Sequence, residues 1–164
     1  MELKDALLTA LNFEETGCKI YKEAAAKTNN PIVAKTFSYL ADQELMHIEG
    51  IKEYMETTQI EFKGDKPEWT EKFFTMTAKE FRKKTELSKE DIKAHETALE
   101  LERASYDFYK EQQSKAKSEK LKKFFMFLMS QENAHYELVQ KSYEYIKNPV
   151  GFYTEEEKWM ADGG

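Results

Sequence analysis

The sequence contains few of the residues that interrupt or cross-link a chain. Its 164 residues include one cysteine, three prolines and six glycines. A single cysteine cannot form an intrachain disulfide. Without a CxxC pair, the sequence also has no thiolate site for zinc, for rubredoxin-type iron or for thiol redox chemistry.

Long apolar runs and an excess of positive charge are also missing. The longest apolar run, residues 124–129, is about a third of what a membrane span requires. The first residues carry Glu2, Lys4 and Asp5, where a secretory signal would be apolar. A formal charge of −6 has the wrong sign for binding nucleic acid or an anionic membrane surface. We therefore expect a cytoplasmic protein with neither of these partners.

Turn-forming residues divide the chain into four long segments of good helix formers. We predict Pro31 at the first position of a helix and N-caps at Ser88 and Ser118. The predicted helices are residues 3–27, 31–56, 89–115 and 118–147, with a shorter helix at 69–84. One domain, residues 1–147 with a crossover at 57–88, is followed by a C-terminal tail, residues 148–164.

Each long segment carries an apolar stripe in steps of three and four residues, which is typical of helices packed in a bundle. The middle of each stripe is polar: all four hold a glutamate there, and two add a histidine three residues later. These six residues are Glu14, Glu44, His47, Glu102, Glu132 and His135.

The two halves of the chain repeat each other. Residues 43–49 and 131–137 share the pattern Gln-Glu-x-x-His-x-Glu at an offset of 88 residues, and the same offset relates Glu14 to Glu102. We therefore predict two helical hairpins related by a pseudo-twofold axis. The second and third helices then run parallel, which requires the long crossover between them.

The repeated polar residues predict a dinuclear metal site. A glutamate and a histidine three residues apart lie on one face of a helix, so the six side chains converge in the core. Four carboxylates and two imidazoles are the set with which four-helix bundles hold two iron or manganese ions. Without metal, buried like charges are costly or become protonated. The alternative is a metal-free polar network, which would need Arg or Lys on the stripes, and the stripes contain none.

Several other residues lie near the predicted site. Cys18 and Tyr106 follow the glutamates of the first and third helices by one turn, and we expect both to line the metal cavity. Tyr106 is a catalytic candidate that could hydrogen-bond a bound oxygen species or supply an electron. Cys18 could tune the opposite side, or simply be a small buried residue. We assign His95, Tyr21 and Tyr109, each two turns from a glutamate, to the bundle core.

With these motifs the sequence resembles the ferritin-like, rubrerythrin-related di-iron carboxylate proteins over roughly residues 3–147. The resemblance implies an all-α, ferritin-like four-helix bundle in which the six Glu and His residues bind two iron ions. Members of this superfamily reduce peroxide or dioxygen, or oxidise and store ferrous iron. Rubrerythrins usually carry a rubredoxin domain with four cysteines, which this sequence lacks, so electrons would come from a separate donor.

We therefore expect a di-iron oxidoreductase, in a homodimer, that reduces hydrogen peroxide or dioxygen with an external electron donor. Manganese in place of iron stays an alternative. Other functions also stay open, so the sequence leaves enzyme activity undecided. They are a ferroxidase or buffer for iron storage, a metal-stabilised sensor or scaffold, and a monooxygenase acting on an organic substrate.

Overall fold

The described part of the chain forms four long α-helices. The computed structural model describes residues 2–57, 64 and 88–148, and this part contains no strand. The helices are α1 (Leu3–Lys27), α2 (Pro31–Thr57), α3 (Lys89–Lys115) and α4 (Glu119–Lys147). The all-α prediction is confirmed, and each long helix begins and ends within one residue of its expected position. None of these helices is both long enough and apolar enough to span a membrane.

Other predictions fall on parts of the chain that are not described. The shorter helix expected at 69–84 lies outside the described residues, and so does the tail after residue 148. The division into a domain and a tail therefore stays a prediction.

Side-chain caps explain where three of the helices begin. The Ser88 hydroxyl accepts from two backbone N–H groups in the first turn of α3, and the Ser118 hydroxyl accepts from the N–H of Leu121 at 3.1 Å. Both predicted N-caps are confirmed. Asn30 caps α2 in the same way through its side-chain oxygen, and Pro31 follows as the first helical residue. Each cap satisfies an N–H that has no partner within its own helix.

The helices pack as two hairpins. α1 makes its most extensive contacts with α2, and α3 with α4, whereas α1 with α3 and α2 with α4 touch less. The core consists of two apolar clusters, one containing Phe37 and Leu138, the other Phe125 and Ile51. α1 and α4 pass from the second cluster to the first, and α2 and α3 pass the other way. α2 and α3 are therefore parallel, as the repeat predicts. Both begin beside the first cluster, so the chain must return to that end of the bundle between them.

His95 is a core residue, as predicted. It is fully buried, and its Nδ1 donates to the Asp91 carbonyl at 2.6 Å. Its Nε2 lies 2.7 Å from the Ser142 hydroxyl, and its ring packs edge-on against Phe37. Burial lowers the pKa of His95, so this imidazole stays neutral with both nitrogens satisfied and is not available as a ligand.

Candidate metal centre

The six side chains predicted as ligands meet between the two apolar clusters. Each is at most 2 % exposed. They form two overlapping groups in which the potential ligand atoms all lie within 4.8 Å of one another. The first group is Glu14, Glu44, His47 and Glu132, and the second is Glu44, Glu102, Glu132 and His135. One glutamate from α2 and one from α4 belong to both groups, which is the arrangement that would place two ions side by side.

Both imidazoles present Nδ1 to the carboxylates. His47 Nδ1 lies 3.3 Å from Glu14 Oε2 and 3.6 Å from Glu132 Oε1. His135 Nδ1 lies 3.3 Å from Glu44 Oε1. The two rings stack with centroids 5.4 Å apart, so they lie on the same side of the cluster. Nδ1 is therefore the nitrogen that each histidine would offer to a metal ion.

Three atoms of this cluster are buried without a hydrogen bond. They are Glu102 Oε2, Glu132 Oε1 and His135 Nδ1. A buried polar atom without a partner is costly, and these atoms all belong to the second ligand group. A divalent ion there would satisfy them. Oxygen and imidazole nitrogen donors without thiolate suit iron or manganese, so the residues present fit a pair of such ions.

Burial and the close contacts within the cluster shift the pKa values of three of its groups, Glu132, Glu102 and His47. Burial and the carboxylates of Glu102 and Glu14 raise the pKa of Glu132 well above its usual value. Burial alone would also raise the pKa of Glu102. The neighbouring Glu132 carboxyl and the His135 imidazole together lower it below its usual value. The raised pKa favours the protonated form of the Glu132 carboxyl. Burial alone would lower the pKa of His47, yet the Glu14 carboxylate holds it above its usual value. Metal ions would displace these protons.

Two buried tyrosines hold two of the carboxylates. The Tyr109 hydroxyl donates to Glu14 Oε1 at 2.6 Å, and the Tyr21 hydroxyl donates to Glu102 Oε1. Burial, with the neighbouring carboxylate, raises the pKa of each phenol, so both remain protonated donors. We predicted both tyrosines only as core residues and missed these contacts. Their recurrence at the offset of the glutamates was the available signal.

Residue 64 of the crossover lies against the outer side of His47. His47 Nε2 is 3.0 Å from Gln131 Oε1, which leaves Nδ1 directed at the carboxylates. A Cβ added to Gly64 would lie 2.3 Å from Gln131 Oε1 and 3.2 Å from His47 Nε2. Gly64 also has a φ of 157°, within the range that favours glycine. The contacts of Gln131 and Gly64 were not predicted from the sequence, although Gln131 is part of the repeated motif.

Cys18 and Tyr106, which were expected to line the metal cavity, lie in different surroundings. The Cys18 thiol is buried and lies 3.8 Å from the Ala41 carbonyl oxygen, as a small core residue would. Tyr106 is half-buried and lines a pocket of about 220 Å³ between α3 and α4. This α3–α4 pocket is formed by Glu102, Arg103, Tyr106, Asp107, Glu132, Asn133 and Tyr136. The structure thus brings Tyr106 to a cavity that reaches two of the predicted ligands. The catalytic roles of both residues stay predictions.

A four-helix bundle with four carboxylates and two imidazoles in overlapping groups defines the class of dinuclear carboxylate proteins. The family model described as Rubrerythrin matches residues 5–143. The chain therefore belongs to the rubrerythrin family, a ferritin-like di-iron family. No curated protein and no solved structure matches it.

The two tyrosine contacts predict a paired effect on metal binding. Replacing Tyr109 with Phe frees the Glu14 carboxylate, and replacing Tyr21 with Phe frees that of Glu102. We expect each change to lower the binding affinity for one of the two ions by about 10- to 100-fold, because a residue that orients a metal ligand contributes that much to affinity. Titration with Co²⁺ followed by absorbance should then show one tight and one weak step. The two variants are matched controls, and unchanged binding of both ions in both variants would contradict the assignment.

Because Gly64 lies so close to Gln131 and His47, a methyl group added at this position should weaken metal binding. In the Gly64→Ala variant, Gln131 must move away from His47 Nε2, and we expect the ion held by His47 to bind about tenfold more weakly. Gly17→Ala is the comparison variant, since its Cβ would lie at ordinary contact distances, 3.4 Å from Leu101 Cδ2 and 3.5 Å from Glu44 Cδ, and would touch Glu44 instead of His47. Isothermal titration with Co²⁺ measures both variants. Equal affinities would show that the contact with Gly64 does not orient His47.

Proposed function

We propose that this chain binds two iron ions and reduces hydrogen peroxide or dioxygen with electrons from a separate donor. The observation that supports the proposal is the sharing of Glu44 and Glu132 by both ligand groups, since it would place the two ions next to each other. Two adjacent irons supply two electrons together, which with two protons convert one hydrogen peroxide molecule to two waters.

Each half of the repeat would supply the glutamate and the histidine that belong to one ion only. Glu14 and His47 would hold one ion, and their counterparts on α3 and α4 would hold the other. The phenols of Tyr21 and Tyr109 fix one oxygen of a carboxylate in each half. The other carboxylate oxygens stay free to bind and to change position as the charge on the ions changes.

The surroundings of the cluster favour a reaction away from bulk water. Leu40, from one apolar cluster, and Leu128, from the other, are at most 1 % exposed. Burial of this kind strengthens the electrostatic interactions of the cluster and suppresses side reactions. The α3–α4 pocket gives a small polar molecule access to Glu102 and Glu132. In this position the half-buried Tyr106 hydroxyl would hydrogen-bond a substrate oxygen.

The electrons would come from another molecule. The sequence contains one cysteine, and its buried thiol faces the Ala41 carbonyl. The chain therefore cannot build a rubredoxin-type centre with four cysteines from its own residues. A separate reductant is part of the proposal, and so are the homodimer and the cytoplasmic location expected from the sequence.

The proposal predicts fast oxidation of the ferrous protein. Protein loaded anaerobically with two ferrous ions per chain is mixed in a stopped-flow instrument with hydrogen peroxide or with dioxygen. We expect at least one of the two to produce the absorption of oxo-bridged ferric iron within one turnover. Tyr106→Phe should slow this oxidation without changing the iron content. Tyr143→Phe is the matched control, since its hydroxyl contacts Glu96 at 3.3 Å, away from the site.

Two results would contradict the proposal. Two bound irons that neither oxidant oxidises would favour a structural or sensing role for the metal. Oxidation that leads to release of ferric iron into a mineral, with no turnover when a reductant is added, would favour iron storage instead.

A further inference from the structure

The α3–α4 pocket joins the protein surface to two predicted ligands. Its inner end is formed by Glu102 and Glu132, each 1 % exposed. The half-buried rings of Tyr106 and Tyr136 form its sides. One oxygen of each inner carboxylate, Oε2 of Glu102 and Oε1 of Glu132, has no hydrogen bond. The pocket therefore reaches the side chains of two predicted ligands, each of which has one buried oxygen without a hydrogen bond.

The internal repeat shows that the lining of this pocket does not follow from the bundle symmetry. A shift of 88 residues carries the inner carboxylates onto Glu14 and Glu44. The same shift carries the polar side chains of Tyr106, Asn133 and Tyr136 onto Cys18, Leu45 and Ile48. Of these, Cys18 and Ile48 are buried. At these three positions the first hairpin thus has a thiol or an apolar side chain beside equivalent ligands, whereas the charged positions Arg103 and Asp107 correspond to Glu15 and Lys19.

Charge and size indicate what the pocket admits. Its lining carries the carboxyl groups of Glu102 and Glu132 at the inner end, and the exposed Asp107 beside the single guanidinium of Arg103. That guanidinium packs on the Tyr136 ring, 5.9 Å from its centroid. A volume of about 220 Å³ corresponds to about seven waters at about 30 Å³ each. It therefore exceeds what dioxygen or hydrogen peroxide requires, and it leaves room for a divalent cation that keeps part of its water shell.

We propose that the α3–α4 pocket is the route by which hydrated divalent metal ions reach the dinuclear site. The proposal rests on the metal centre of the proposed function. Asp107 attracts the ion at the surface. The free oxygens of Glu102 and Glu132 replace its water at the inner end. Since Glu132 belongs to both ligand groups, the first ion to arrive can pass to the site of Glu14 and His47, leaving room for the second.

The test measures the rate of metal uptake separately from affinity and from catalysis. Metal-free protein is mixed with Co²⁺, and its absorption in the site is followed in time. Asn133→Trp fills the exposed edge of the pocket without changing a ligand. We expect uptake to slow by about tenfold or more, with the final stoichiometry and Kd unchanged, because binding and release slow together. Leu45→Trp is the matched control, since Leu45 is the repeat counterpart of Asn133 and is 39 % exposed.

A second variant tests the charge without adding bulk. Asp107→Lys should slow Co²⁺ uptake by about tenfold at low ionic strength, with the difference from the native chain shrinking as salt increases. Lys19→Asp, at the repeat counterpart, should leave the rate unchanged. Native uptake rates in both Asn133→Trp and Asp107→Lys, or equal slowing in Leu45→Trp, would overturn the proposal. If Co²⁺ enters as described but neither oxidant reacts with the ferrous protein, only the proposed function fails.

Discussion

Repulsion among four buried carboxylates is the constraint on which the rest of this structure depends. In a medium of low dielectric constant, like charges at this separation cannot all remain ionised without compensation. In the metal-free chain the pKa values of Glu132 and His47 are both raised, which favours their protonated forms. Two divalent cations provide the same compensation without those protons, because their four positive charges balance four carboxylates. The polar centre is thus destabilising by itself and becomes favourable when metal is bound.

The internal repeat explains how one chain builds two equivalent groups of potential ligands. Each hairpin contributes one glutamate from its first helix and a glutamate–histidine pair from its second helix. The tyrosine of each hairpin reaches across to the glutamate of the other, so Tyr21 contacts Glu102 and Tyr109 contacts Glu14. The two hairpins are therefore coupled at the site itself. The halves differ beside the predicted ligands, where Tyr106, Asn133 and Tyr136 line the α3–α4 pocket and their repeat counterparts are Cys18, Leu45 and Ile48.

The parts of the structure that could be predicted from the sequence are those set within single helices. Apolar stripes, caps and the spacing of Glu44 and His47 are local patterns, so they gave the helix bounds and the six residues of the cluster. The repeat marks the two tyrosines, but the partners of their hydroxyls could not be predicted, because the contacts join residues 81 and 95 positions apart in the chain. They depend on how far α1 is shifted along its axis relative to α3, which no stripe encodes. The contact of Gly64 with Gln131 depends in the same way on the path of the crossover.

The central claim is that the six buried side chains hold two metal ions side by side. Its most direct test is a crystal structure of the protein soaked anaerobically with ferrous iron, with anomalous differences measured at the iron absorption edge. The account predicts two peaks about 3.5–4 Å apart, one beside Glu14 and His47 and the other beside Glu102 and His135. A single peak, or iron bound only outside the bundle core, would contradict it.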